Sequence, residues 1–257
     1  MILHNNRSTL RTGHSALFRN INGLRNRLES SSSPLELVFP NRPDEQTALI
    51  SRLEDISACV RQRNRQVLSI HAPRVEMDSD DFPGRALEFA RLAEMLGAQS
   101  VTFHPSKCME PEFRLGRQAA ALGNLSQAQD QTDVKLSVET LAHKKCLFYP
   151  EEIVRFDLPM VLDTSHVGWH ASYDLISRHT GRIVTVHLSE CVDGVQHQRI
   201  TERSLEFIDY LVEIGWSGNV VLEYWPWRWE YYAGDVAVVN KRLAAAVGAG
   251  LEMQECS

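Results

Sequence analysis

Pro159-Met160-Val161-Leu162-Asp163-Thr164-Ser165-His166 is an apolar run that stops on a carboxylate and then, after Thr and Ser, a histidine. Further on, Ile183-Val184-Thr185-Val186-His187-Leu188 repeats the design with a histidine at its end. Each run is too short for a helix and reads as a buried strand, while the segment between them has helical period. Strand, helix, strand is the unit of a parallel sheet.

The same alternation extends in both directions. Apolar runs at 1–4, 35–39, 67–71, 99–104, 134–139, 159–163, 183–187 and 219–223 predict eight strands, spaced by about 30 residues as successive βα units are. Pro43-Asp44-Glu45 opens the second helix, Pro83 stands at the front of the third and Gly97 closes it. Tyr149-Pro150-Glu151-Glu152 begins a short fifth crossover and leaves 140–148 as a loop over the barrel mouth. The competing architecture is an open doubly wound sheet, but no G-x-G-x-x-G follows a strand. Eight units in 257 residues favour closure into one (β/α)8 TIM barrel spanning 1–257.

Composition narrows the function. The content is 43% hydrophobic and 23% charged, that of an ordinary globular protein. The start, Met1-Ile2-Leu3-His4-Asn5-Asn6-Arg7, holds no signal-like apolar run, and no stretch has the length of a membrane span, so a cytoplasmic location is expected. Five scattered cysteines without a C-x-x-C pair predict reduced thiols. The net charge of −6 counts against a surface built for nucleic acid, although residues 1–75 hold eleven arginines against six acidic residues. The Arg61-Gln62-Arg63-Asn64-Arg65 run is expected to be a solvated helix end.

In a barrel of this kind, functional side chains project from the C-terminal ends of the strands. Here strands three to eight end on His71, His104, Glu139, Asp163, His187 and Glu223 in turn. Three imidazoles and three carboxylates at one mouth would leave the carboxylates repelling one another unless a cation joined them. Mixed nitrogen and oxygen donors suit zinc or manganese better than magnesium or calcium.

At these residues the chain resembles the superfamily of xylose-isomerase-like barrels that also contains endonuclease IV and the sugar epimerases. The resemblance implies one metal on Glu139, Asp163, His187 and Glu223 and a second on His71 and His104, bridged by Glu139. Asp163-Thr164-Ser165-His166 is similar to the family's D-T-x-H, whose histidine serves a third zinc in the nucleases and contacts substrate in the epimerases. The nuclease D-x-H motif aligns its histidine with His197 but finds Val195 where aspartate belongs, with Asp193 close by. The resemblance therefore implies two ions, with the third site incomplete.

Two chemistries follow from the resemblance. A sugar isomerase or epimerase would use Glu139 and Glu223 as acid and base, a metal-stabilised enediolate, and His166 to orient hydroxyls, with Arg199 or Lys107 holding an anionic group. An abasic-site endonuclease would use the ions for phosphodiester hydrolysis, but the loops after strands two and three offer Arg42, Arg74 and Val75 rather than an aromatic wedge. A non-catalytic metal-binding barrel is the reading from another class. Trp225-Pro226-Trp227-Arg228-Trp229 with Tyr231 and Tyr232 would then form a subunit interface, whereas in an enzyme Trp225 would stack on substrate. The expected partner is a small carbohydrate; DNA is disfavoured, no membrane is involved, and oligomers are allowed. Glu36 on strand two faces the mouth or the interior, where it could pair with a cation, and its role is left open by the sequence.

Overall fold

The computed structural model of the chain describes residues 10–141 and 145–255, the last stretch, 248–255, as backbone only. Its apolar runs become parallel strands because both their faces are covered, so nearly every residue in them is buried. In chain order the strands are β1 (Arg11–Leu17), β2 (Leu35–Val38), β3 (Val67–His71), β4 (Ser100–Phe103), β5 (Lys135–Glu139), β6 (Met160–Asp163), β7 (Ile183–Leu188), β8 (Glu190–Val192), β9 (Val195–Gln198) and β10 (Asn219–Leu222). The helices are α1 (Ile21–Ser30), α2 (Pro43–Ile50), α3 (Leu53–Gln62), α4 (Phe82–Leu96), α5 (Arg114–Gln129), α6 (Pro150–Arg155), α7 (Thr164–Val167), α8 (Trp169–Arg178), α9 (Glu202–Glu213) and α10 (Tyr232–Glu255).

Eight of these strands close a barrel in the order β1-β10-β7-β6-β5-β4-β3-β2, every neighbouring pair parallel. This is a (β/α)8 TIM barrel. Its helices end where the chain supplies the chemistry for it. Pro83 occupies the first turn of α4, where its missing N–H costs nothing, and Gly97 ends that helix at φ 67°, a conformation open to glycine. Gly13 serves packing instead, since a Cβ there would lie 2.5 Å from the Pro34 carbonyl oxygen on the neighbouring chain segment.

The expected first strand at 1–4 lies outside the described residues, and the barrel is closed by Arg11–Leu17 in its stead. Thr12, His14 and Ser15 interrupt that strand's apolar character although all are buried, which hides it from a search for apolar runs. Also unforeseen is the antiparallel hairpin β8–β9 after β7, turned at Asp193 and Gly194 with φ of 52° and 78°, the left-handed pair a two-residue hairpin turn demands. In the segment after β5, Leu141, Cys146, Leu147 and Phe148 are buried, and Cys146 bridges to Lys107 in the loop after β4. Among the described residues no disulfide joins the cysteines, and no helix is long and apolar enough to cross a membrane.

Candidate metal centre

The parallel strands bring their C-terminal ends to one face, so the side chains that end β3, β5, β6 and β7, with those that follow β4 and β10, meet at the mouth. Glu139 stands at the centre. Its Oε2 lies 2.6 Å from His104 Nε2 and 3.5 Å from His71 Nε2, and its Oε1 lies 2.9 Å from His187 Nδ1. The same His187 Nδ1 is 2.9 Å from Glu223 Oε2, and its Nε2 is 3.0 Å from Glu36 Oε1 on β2. Ser69 Oγ donates to the other Glu36 oxygen at 2.6 Å.

Asp163 lies on the far side of this group. Its Oδ1 accepts from the backbone N–H groups of Ser165 and His166 and from the Ser165 hydroxyl at 2.8 to 3.1 Å. Those bonds fix the carboxylate and turn Oδ2 toward His166 Nε2 at 3.8 Å and His197 Nδ1 at 3.9 Å. His197 reaches the mouth from the hairpin, where it adopts a left-handed φ of 54°, a cost accepted when surrounding structure fixes the residue. The Gln196 amide nitrogen lies 2.8 Å from His166 Nδ1 and can donate to it, which leaves His166 Nε2 facing Asp163.

Donor atoms within 4.8 Å of one another form overlapping sets: His71, His104 and Glu139; Glu139, Asp163, His187 and Glu223; His71, His187 and Glu223; and Asp163, His166 and His197. The residues fit a metal. Buried Glu139 Oε2, Asp163 Oδ2 and Glu223 Oε2 face imidazole nitrogens at 2.6, 3.8 and 2.9 Å, yet none of these contacts has the geometry of a hydrogen bond, and buried polar atoms are otherwise almost always paired. His71 Nδ1 lies 3.2 Å from the Ala72 carbonyl, which can only accept, so the proton sits there and Nε2 is free to coordinate.

The electrostatics carry the same message. Burial works to raise the Glu139 carboxyl, but His104, then His187 and His71, hold it well below the usual carboxylate range. Burial disfavours the His71 cation, yet Glu139, Glu36 and Glu223 push it up to about 9. His187 is likewise raised against its own burial by Glu36, Glu223 and Glu139. Asp163 is raised, chiefly by burial, with His166 and His197 opposing. The carboxylates thus demand positive charge at their centre, and a divalent ion supplies it without protonating the imidazoles.

Above the cluster opens a cavity of about 270 Å3. His71, His104, His197 and Glu223 form part of its lining, together with Trp225 and Pro226 after β10, Arg19 after β1, and Asn41 and Arg42 after β2. Trp225 stacks on Trp227 with ring centroids 5.1 Å apart and planes nearly parallel, and makes a T-shaped contact with His197 at a centroid distance of 5.4 Å. Arg199 and Lys107, expected to contact substrate, stand apart from this lining. Arg199 leaves the hairpin toward α10, where it makes paired bonds to Asp235 at 2.7 and 3.0 Å and stacks on Tyr231. Lys107 is exposed on the strand bridge to Cys146. Asp193 forms the exposed tip of the hairpin and does not replace the aspartate missing at Val195. Arg19 went unforeseen because the strand before it was placed too early, whereas Glu36 was singled out with its role open because a lone acid in an apolar run does not reveal its face.

No protein-family model and no curated protein matches the chain. Solved structures do. The apo form of the 3-keto-D-glucoside 4-epimerase YcjR from E. coli superimposes with a TM-score of 0.69 at 13% identity, covering 91% of this chain and 100% of that one. The IolI protein with a bound zinc gives 0.62 at 15% identity, covering 93% and 98%. Endonuclease IV from Thermus thermophilus gives 0.55 at 17% identity, covering 93% and 99%. At such identities the likeness establishes the fold alone, a TIM barrel that the epimerase, the zinc-binding protein and the endonuclease have in common with this chain.

Proposed function

We propose that this chain is a divalent-metal-dependent isomerase or epimerase of a small carbohydrate, moving a proton at a carbon next to a carbonyl. The observation that carries this reading is the pairing of Glu139 and Glu223, each 2.9 Å from His187 Nδ1, beneath a cavity of about 270 Å3. That volume suits one small ligand, not a duplex. Glu139, Asp163, His187 and Glu223 would hold one ion, and His71, His104 and Glu139 a second, with zinc or manganese matching the donors. A bound ion supplies Lewis acidity for the substrate carbonyl.

The chain's own residues do the rest. One of Glu139 and Glu223 takes the proton and the other returns it, and in an epimerase the two act from opposite faces of the sugar. His166, fixed through Gln196 and set beside Asp163, is available to a substrate hydroxyl. The Trp225 ring offers an apolar wall for the C–H face of a sugar.

A second reading, abasic-site phosphodiester hydrolysis, is favoured by one feature: the set of Asp163, His166 and His197 beside the other two, which gives room for further metal. Metal analysis of protein purified without added metal, followed by assays on a ketose panel and an abasic-site duplex, separates the two. Interconversion of a ketose that falls at least about a hundredfold in Glu139→Gln is the expected result. Strand cleavage lost in the same variant would establish the nuclease, and protein without metal would overturn both.

A further inference from the structure

The cavity has a second wall that the metal chemistry leaves unused. Arg19 follows β1 and Arg42 caps α2, so both rise from loops at the C-terminal mouth. Their guanidinium groups converge on one oxygen of Glu45, Arg19 Nε at 3.9 Å and Arg42 Nη1 at 3.8 Å. Both distances are beyond a hydrogen bond. Glu45 therefore gathers the two cations at the cavity while leaving their donors unspent, and both side chains are more than 60% exposed, against 17% for Glu45. Between them Asn41 accepts from the Arg74 backbone N–H through Oδ1, which leaves its amide N–H2 as another donor on this wall.

We propose that Arg19 and Arg42 bind an anionic group of the substrate, which makes that substrate a sugar phosphate or a sugar acid rather than a neutral sugar. This rests on the carbohydrate reading above. Two guanidiniums against one carboxylate leave an uncompensated positive charge on this wall, suited to the paired hydrogen bonds that phosphate and carboxylate accept. At the metal cage the carboxylates of Glu36, Glu139, Asp163 and Glu223 balance the charge of the ions they would hold, so the cage has no surplus of positive charge to match that of the arginine wall. The charged end is thereby directed to the arginines and the polyol end to the cage, and Trp225 belongs to the same lining. Arg199 does not compete for the role, because Asp235 already takes its donors.

The test begins with inorganic phosphate, titrated calorimetrically into manganese-loaded protein, and compares wild type with the Arg19→Met/Arg42→Met double variant and with Glu45→Gln. Phosphate should bind at least about tenfold more weakly to the double variant, whose metal content and urea midpoint show that it is folded. It should bind more tightly to Glu45→Gln, since the competing carboxylate is gone; that gain cannot arise from misfolding. Phosphate bound equally by wild type and the double variant is held by the metal, and that result, or no binding at all, overturns the proposal. Ketoses, their terminal phosphates and uronic acids are then titrated side by side. Preference for the phosphates or for the acids, lost in the double variant, names the anion, whereas neutral ketoses bound as well as either overturn the assignment. Arginine-dependent phosphate binding without turnover of any sugar would leave this wall standing and remove the isomerase.

Discussion

A histidine can offer a metal only one ring nitrogen at a time, and His187 has carboxylates at both. Nδ1 faces Glu139 and Glu223, while Nε2 faces Glu36, a fully buried side chain whose other oxygen is held by Ser69. A carboxylate behind a ligating imidazole fixes its ring and its proton and raises its basicity. Glu36→Gln should therefore weaken metal binding by about 10- to 100-fold while the barrel stays folded. Competition with a fluorescent chelator measures this, and an unchanged affinity would reduce Glu36 to a buried acid satisfied by Ser69. The six strand-end residues were legible in the chain because a buried strand that ends on His, Asp or Glu departs from its own composition. Glu36 was not, because alternation along Leu35-Glu36-Leu37 leaves open which residue faces the axis. His197 could be placed only by its motif, for its approach depends on a left-handed backbone that composition does not announce.

At the scale of elements, β2 to β7 and β10 were found within a residue or two, and β1 was missed because most of its buried residues, Thr12, His14 and Ser15 among them, are not apolar. Its His14 packs beneath α10, with its ring 4.7 Å from Tyr232 and nearly parallel to it. Nδ1 lies against the Ser15 carbonyl, Nε2 is buried without a partner, and burial above all lowers the imidazole to about 4. The unfolded chain takes up a proton near pH 6.5 that the fold refuses until about pH 4. Stability is thus fully present above about pH 6.5 and falls as the pH drops toward 4, by on the order of 3 kcal/mol from this group. Urea unfolding at pH 7 and pH 4.5 should show a smaller acid loss in His14→Phe, which keeps a ring against Tyr232; equal losses in the two proteins would locate the acid sensitivity elsewhere. The β8–β9 hairpin is the other element the chain concealed, since it is short and mostly polar. Its base is anchored by buried Glu190, which accepts from Trp169, Thr201 and Ser204. That anchor swings His197 into the mouth and Arg199 out to Asp235, so two residues close in sequence part company.

For the molecule as a whole, the mouth concentrates like charge that folding alone must hold together. Glu36, Glu139, Asp163 and Glu223 come from strands far apart in the chain, and nothing brings them close in the unfolded state. In the ion-free protein their repulsion is relieved by protons held on His71 and His187, whose burial opposes that charge. An ion that binds the fold and not the unfolded chain removes this conflict, and stabilises by about 2.7 kcal/mol when free metal is a hundredfold above its dissociation constant. Chelation should accordingly lower the urea midpoint, and manganese or zinc should restore it with a logarithmic dependence on concentration. The dependence should disappear in a Glu139→Gln/Asp163→Asn variant, which also lacks part of the repulsion and should be no less stable than the chelated wild type. A midpoint indifferent to chelator in protein shown to have carried metal would mean that the ion sits on the surface, away from the strand ends, and the cluster at the mouth would lose its charge balance and its chemistry together.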